Sequence, residues 1–116
     1  MQPAAFPTEW LRGVLSLAVL HIVAARPTYG YAISVALAEH GLGSVKGGTL
    51  YPLLGRLEEA GHVTTEWRQG EGGPGRKYYL VTDSGRAALA EQSAHWGDFT
   101  DSVTSLLSAH QPGGHQ

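Results

Sequence analysis

Apolar residues recur at helical spacing from Thr8 to Ala25 and predict the first helix. Thr8 is predicted to be its N-cap, with Pro7 before it and Glu9 in the first turn. The predicted inward stripe comprises Leu11, Val14, Leu15, Ala18 and Ile22. The other faces also carry apolar residues, namely Leu17, Val19, Leu20 and Val23. A helix that is apolar nearly all round is buried on more than one side, so we expect a second chain to cover the extra face.

A second predicted helix follows the Arg26-Pro27 stop and spans about residues 29–40. Thr28 is predicted to cap it, and Gly41 follows its end. Its inward residues are predicted to be Ile33, Ala36 and Leu37.

A third helix is predicted after a turn at residues 44–48, and it ends near Ala60. Proline fits only the first turn of a helix without loss, so Pro52 favours a start near Thr49, or an earlier start that lacks one hydrogen bond. The predicted inward stripe comprises Leu50, Leu53, Leu54 and Leu57.

The pattern changes from helical to alternating after Gly61. Alternation over residues 63–67 predicts one strand, and the aromatic and β-branched run at 76–81 predicts another. The glycine-rich residues 69–75 connect them, so the two strands form a hairpin. Thr82 is predicted to cap a long last helix.

Apolar residues on the last helix follow a heptad pattern. The heptad positions are Leu89, Gln92, Trp96, Phe99, Val103 and Leu106, and all of them except Gln92 are apolar. Such a seam is typical of a contact between two chains. A plain amphipathic helix that packs on its own core gives the same pattern over so short a length, and this alternative stays open.

Charge is distributed unevenly along the chain. The net charge is −2, and charged residues make up only 16% of the sequence. Residues 46–79 carry five lysines and arginines against four acids, whereas residues 80–116 carry one against four. The middle of the chain is therefore the segment best suited to an anionic partner, and the low overall charge indicates surface buried in a complex.

Several classes of protein are not expected. Without cysteine there is no disulfide framework or thiolate metal site, and residues 1–7 lack the features of a signal peptide. The apolar run 14–25 is shorter than the roughly 20 residues of a membrane span. The six histidines lack ligand spacing, and the glycine-rich loop opens a strand, whereas phosphate-binding loops open a helix. We therefore expect a cytoplasmic protein with no membrane contact, no metal, no cofactor and no enzymatic activity.

The predicted order of three helices, a β-hairpin and a last helix is that of a winged helix-turn-helix, a mostly α fold. Small residues on the outward face of the third helix, Gly48 and Pro52, would let it approach a DNA groove closely. Lys46 and Tyr51 would then reach bases or phosphates, and Arg76 or Lys77 would bind phosphate beside the wing. Arg56 either contacts DNA or pairs with Glu58 or Glu59.

Three motifs resemble those of PadR-family transcriptional regulators. They are residues 48–54 (GTLYPLL) with Arg56-Leu57-Glu58 and Gly61, residues 75–79 (GRKYY) with Leu80, Thr82 and Gly85, and residues 29–31 (YGY). Val81 is a one-residue spacer between Leu80 and Thr82. The length is similar to that of the short subfamily. The predicted elements divide the chain into a winged helix-turn-helix domain at 8–81 and a last helix at 82–108, with flexible tails at 1–7 and 109–116. The resemblance implies that the last helix serves for dimerisation.

The same resemblance implies a homodimer that binds inverted-repeat operator DNA, usually as a repressor. The DNA-binding residues would be Tyr29, Lys46, Gly48, Thr49, Tyr51, Pro52, Arg56, Arg76 and Lys77. The dimer interface would comprise Leu11, Leu15, Leu89, Trp96, Phe99, Val103 and Leu106.

Multidrug-sensing members of the family are similar to this chain in placing a tryptophan on the last helix at the dimer centre. By that resemblance a planar aromatic or cationic compound would bind at Trp96, Phe99, Leu11, Val14 and Leu15. Alternatively, Trp96 fills the dimer core. The chain is thus a ligand-responsive repressor, a DNA-binding regulator without a small-molecule effector, or a winged-helix protein-interaction module that does not bind DNA.

Overall fold

The computed structural model describes residues 6–70 and 72–109. The tails predicted at 1–7 and 109–116 lie almost entirely outside the described residues, so their flexibility stays a prediction. The helices are α1 (Thr8–Arg12), α2 (Leu15–Ala25), α3 (Gly30–Glu39), α4 (Gly47–Glu59) and α5 (Asp83–Ala109), and the strands are β1 (Val63–Arg68) and β2 (Arg76–Val81). The two strands pair antiparallel and form a hairpin. The helices α3 and α4 together with this hairpin form a winged helix-turn-helix, and α5 follows it. The predicted fold class is confirmed. Within the described ranges, no helix is both long and apolar enough to cross a membrane.

The core lies between α2, α3, α4 and the base of the hairpin. Its fully buried large side chains are Val19, Leu20, Val23, Ile33, Leu37, Leu50 and Leu54. The leucine stripe predicted for the third helix is buried throughout, and so are two of the three inward residues predicted for the second. Burial of this apolar surface is the main contribution to folding.

The prediction of one continuous first helix from Thr8 to Ala25 is wrong. It divides into α1 and α2 at Gly13 and Val14, where Val14 has φ −123° and ψ −14°. The amides of Gly13 and Val14 bond to carbonyls three residues back, as in a tightened helix end. Thr8 is the first residue of α1, and its predecessor Pro7 occupies the N-cap position without a side-chain bond.

The core face of α2 also differs from the prediction. Val19, Leu20 and Val23 are buried, together with Leu15. The rest of the predicted inward stripe, namely Leu11, Val14, Ala18 and Ile22, is half-buried. Both faces were apolar in the sequence, so periodicity alone could not choose between them.

Thr28 does not cap the second predicted helix. It is buried, and its backbone exchanges two hydrogen bonds with Tyr79 of β2, at 3.2 and 2.7 Å. The N-cap of α3 is the next residue, Tyr29. The linker before α3 therefore forms an isolated antiparallel bridge to β2, and this fixes the start of α3 against β2.

The helix α4 begins early, at Gly47, with Lys46 as N-cap. Pro52 is its sixth residue, so the carbonyl of Gly48 has no amide partner four residues on. Of the two predicted alternatives, the structure therefore has the earlier start, which lacks one hydrogen bond. At the other end Gly61 adopts φ 82°, and the amide of His62 donates to the carbonyl of Leu57 at 2.9 Å. A left-handed glycine of this kind ends the helix as predicted.

Thr82 caps α5 and joins it to the end of α4. Its hydroxyl accepts a bond from the amide of Gly85 at 3.0 Å and donates to the carbonyl of Gly61 at 2.6 Å. Gly85 is buried against the carbonyl of His62 and the side chain of Val81, where a Cβ would overlap both. The capping prediction for Thr82 is confirmed.

Candidate nucleic-acid interface

The N-terminal turn of α4 is fully open to solvent. Lys46, Gly47, Gly48 and Thr49 are all exposed, and the first turn holds no acidic residue. The first amides of a helix lack intrahelical partners and form the positive end of its dipole. This turn can therefore approach an anion by backbone as well as by the Lys46 side chain.

The outward face of α4 is built from small residues. Gly48, Pro52 and Gly55 are exposed, and a Cβ added at either glycine would meet no atom. Arg56 is exposed on the same helix, and in the described part of the chain no ion pair joins it to Glu58 or Glu59. The alternative for Arg56, in which it pairs with a neighbouring glutamate, is thus not what the structure shows.

Tyr51 connects α4 to the start of α3. Its ring lies directly over Gly30, where a Cβ would collide with the phenol, and beside Gly47. Half of Tyr51 remains exposed, 53% of its surface. The residue therefore serves as a packing contact and still presents an exposed edge.

The wing, which we define as β1, β2 and the loop between them, has two different faces. Residues that face each other across the ladder share a face, so Trp67 lies with Lys77, and Arg68 lies with Arg76. On the second face the guanidinium of Arg76 lies 4.3 Å from the ring centre of Tyr29, and that of Arg68 lies 4.7 Å from Tyr78. These cation–π contacts hold both arginines in place.

A shallow cleft of about 420 Å³ lies between the wing and the starts of α3 and α4. Its lining comprises Tyr29, Gly30, Tyr31, Tyr51, Trp67, Gly75, Arg76, Lys77 and Tyr79. The cleft thus brings together four of the nine residues predicted to bind DNA. Lys46, Gly48, Thr49 and Pro52 lie beyond it along α4, and Arg56 lies further along the helix.

Sequence reasoning missed Trp67 and Tyr31 as members of this surface. Both are strongly exposed, 72% and 73% respectively. The alternation over residues 63–67 predicts only a strand that includes Trp67, although a tryptophan at the solvent-exposed end of such a strand also indicates a binding surface. Tyr31 belongs to the motif at residues 29–31, and no role is predicted for it from the sequence.

Tyr79 closes the floor of the cleft. Burial raises the pKa of its phenol, and the nearby Tyr51 and Glu58 raise it further. Tyr79 is therefore a neutral hydroxyl, and the positive charges of the lining are not opposed by it.

The residues predicted to form the dimer interface and the ligand-binding site lie outside this cleft. They are on α1, α2 and α5, apart from Val14, which lies between α1 and α2. The rings of Trp96 and Phe99 lie 5.4 Å apart, and Phe99 is 55% exposed. Val103, Leu106 and the neighbouring Leu107 are exposed as well. Leu11 and Leu89 are half-buried against the core, and Val14 is half-buried as well. Leu15 is buried in the core of its own chain, so it offers little surface to a partner or ligand.

Comparisons with known proteins agree with one another. The model of the PadR-like family of transcriptional regulators matches residues 19–91. A transcriptional regulator of Mycobacterium tuberculosis is 40% identical over 83 residues, which are 72% of this chain and 76% of that protein.

Solved structures give the same result. The crystal structure of a PadR family transcriptional regulator from Eggerthella lenta is similar at 43% identity and a TM-score of 0.77, over 85% of this chain and 86% of that one. The structure of a PadR-like transcriptional regulator from Bacillus cereus is similar at 36% identity and a TM-score of 0.78, over 86% and 97%.

Proposed function

The chain belongs to the PadR-like family of transcriptional regulators, and from this we propose that it represses genes by binding inverted-repeat operator DNA as a homodimer. The family and the structural neighbours are regulators and not enzymes, in line with the sequence-based expectation. The exposed surfaces described above support the DNA contact and the pairing of two chains. The inverted-repeat operator and the repression follow from the resemblance to the family.

One observation carries the proposal. The exposed N-terminal turn of α4 and the basic, aromatic cleft beside the wing form one continuous surface that includes Lys46, Tyr51, Arg76 and Lys77. In a winged helix the recognition helix enters the major groove by its N-terminal residues. Glu58 and Glu59 at the far end of α4 would repel phosphates, so α4 inserts by its N-terminal half.

A homodimer would supply two such surfaces. Residues 101–109 of α5 are exposed all round and include Val103, Leu106 and Leu107. Helices without tertiary contacts are only marginally stable in water, and contiguous exposed apolar surface marks an interaction site. Pairing through α5 and the half-buried face of α1 and α2 would place two recognition helices about 34 Å apart, one turn of DNA.

The proposal is tested by the dependence of DNA affinity on salt. We expect the protein to bind duplex DNA from its own upstream region with a steep negative slope of log affinity against log salt concentration. The double substitution Arg76→Ala/Lys77→Ala should weaken binding and reduce the slope by about one for each phosphate that the variant no longer neutralises. Arg86→Ala removes an exposed arginine of α5 and serves as the matched control, with wild-type affinity expected.

The third hypothesis, a protein-interaction module, predicts the opposite result. If the wild-type chain shows no salt-dependent affinity for that DNA, or if the wing variant binds like Arg86→Ala, the proposed function is wrong.

A ligand that releases the operator is a second proposal, and the pair of Trp96 and Phe99 rings favours it. Two copies of this pair at the centre of a dimer would present flat apolar surfaces to a planar aromatic cation, with Asp98 and Asp101 nearby on α5. We expect a planar cationic dye to quench tryptophan fluorescence, and Trp96→Ala to abolish the quenching, while Trp67→Phe preserves it. Quenching that survives Trp96→Ala would instead assign Trp96 to the dimer core.

A further inference from the structure

Trp67 is a large aromatic side chain that the core does not use. It is 72% exposed on β1, whereas its strand neighbours Val63 and Thr65 on the same face are buried and half-buried. Keeping so much apolar surface in water is unfavourable. A partner that covers the ring would remove this cost.

The ring of Trp67 is held in a defined place. Its six-membered ring lies beside Gly75, within van der Waals reach of the point where a Cβ would stand. Lys77 lies directly opposite Trp67 across the ladder and on the same face of the wing. The ammonium group of Lys77 lies 5.7 Å from the ring centre of Tyr79, so this wall of the cleft presents both an apolar ring and a positive charge.

The opposite wall of the cleft belongs to α4, the recognition helix of the proposed function, and to the start of α3. Tyr51 lies there with its ring over Gly30, and none of the nine lining residues is acidic. The cleft is therefore amphipathic and positively charged. An anionic chain with apolar units between its charges fits this chemistry.

The position of the cleft identifies that chain. When α4 lies in the major groove and the wing in the adjacent minor groove, one sugar–phosphate strand separates the two grooves and must pass between α4 and the wing. We propose that the cleft seats this strand, with the indole of Trp67 packed on a deoxyribose and Lys77 bound to the adjoining phosphate. The proposal rests on the proposed function and adds an apolar contact to the DNA backbone.

A contact to sugar differs measurably from a contact to phosphate. Trp67→Ala should weaken binding by roughly tenfold, by analogy with aromatic contacts to nucleotides. It should leave the salt slope unchanged because no counterion is released, whereas Lys77→Ala should reduce the slope. The decrease in affinity should be equal for the upstream duplex and for an unrelated duplex of about three helical turns at low salt, since every nucleotide carries the same sugar.

Three further variants make the test specific. Trp67→Phe retains a flat apolar ring and should recover most of the affinity. Thr64→Ala alters an exposed residue on the other face of β1 and should bind as the wild type does. In the variant Trp10→Phe/Trp96→Phe, Trp67 is the remaining tryptophan, and either duplex should reduce its quenching by acrylamide.

The possible outcomes distinguish a failure of the sugar contact from a failure of the proposed function. If Trp67→Ala binds both duplexes with wild-type affinity while Lys77→Ala binds weakly, the sugar contact is wrong and DNA binding stands. If Trp67→Ala weakens only the upstream duplex, Trp67 recognises sequence and the backbone assignment is wrong. If the wild-type chain binds neither duplex, the proposed function itself fails.

Discussion

At the scale of single residues, two glycines of the winged domain and its following helix are expected to respond oppositely to the same substitution. A Cβ at Gly85 would overlap the carbonyl of His62, whereas a Cβ at Gly55 on α4 would meet nothing. We expect Gly85→Ala to lower the free energy of unfolding by about 1–3 kcal/mol through overpacking. Gly55→Ala should raise it by up to about 1 kcal/mol, since alanine is the better helix former.

Urea denaturation of the two variants beside the wild type measures both effects. Equal shifts in the same direction would show that α5 does not pack closely against His62. Because Gly55 lies on the outward face of α4, its variant also shows whether a methyl group there hinders the approach to DNA.

Residue identity predicted much of the candidate site, but not its contacts. Lys46, Arg76 and Lys77 are exposed, as a charged residue beside a turn or a loop tip usually is. The exposed Trp67 left a signal in the sequence, but its place in the cleft and the contact of Tyr51 with Gly30 did not, since both depend on how closely the wing, α3 and α4 approach each other. That distance is set by the bridge between Thr28 and Tyr79, which has no pattern in the sequence.

At the scale of elements, the sequence predicted each type correctly and several boundaries incorrectly. The helical and alternating periodicities, together with the turn residues, identified three helical segments, the hairpin and α5. The bounds of β2 match the prediction at both ends. The break at Gly13 was missed because a single glycine costs a helix only about 1 kcal/mol and does not by itself end it. Tertiary packing decides such cases, and here the backbone leaves helical geometry at Val14, with φ −123° and ψ −14°.

The linker before α3 illustrates the same limit. A threonine after proline predicts an N-cap, and the local chemistry of Thr28 suits that role. In the structure Thr28 instead forms an isolated bridge, because its amide and carbonyl both pair with Tyr79, at 3.2 and 2.7 Å. Two backbone bonds in a buried place outweigh one capping bond at an exposed helix end. The wing is thereby tied to α3, so the cleft has a fixed floor.

At the scale of the whole molecule, the protomer leaves unpaired apolar surface that a second copy would cover. Phe99, Val103 and Leu106 follow the heptad pattern along α5 and are 55%, 40% and 58% exposed. Phe99→Glu or Leu106→Glu would bury a charge in such an interface, which is strongly unfavourable. We therefore expect either variant to sediment as a monomer in analytical ultracentrifugation, while the wild type sediments as a dimer.

Ala94→Glu is the matched control, because Ala94 is exposed on the side of α5 away from the heptad seam. It should leave the dimer intact. DNA binding supplies a second measurement: a monomer has one recognition helix, so the glutamate variants should bind an inverted repeat no better than a single half-site. A wild-type chain that sediments as a monomer, or an Ala94→Glu chain that dissociates like Phe99→Glu, would contradict pairing through this face. In that case α5 would need another partner to cover residues 101–109, because its own domain leaves them in water.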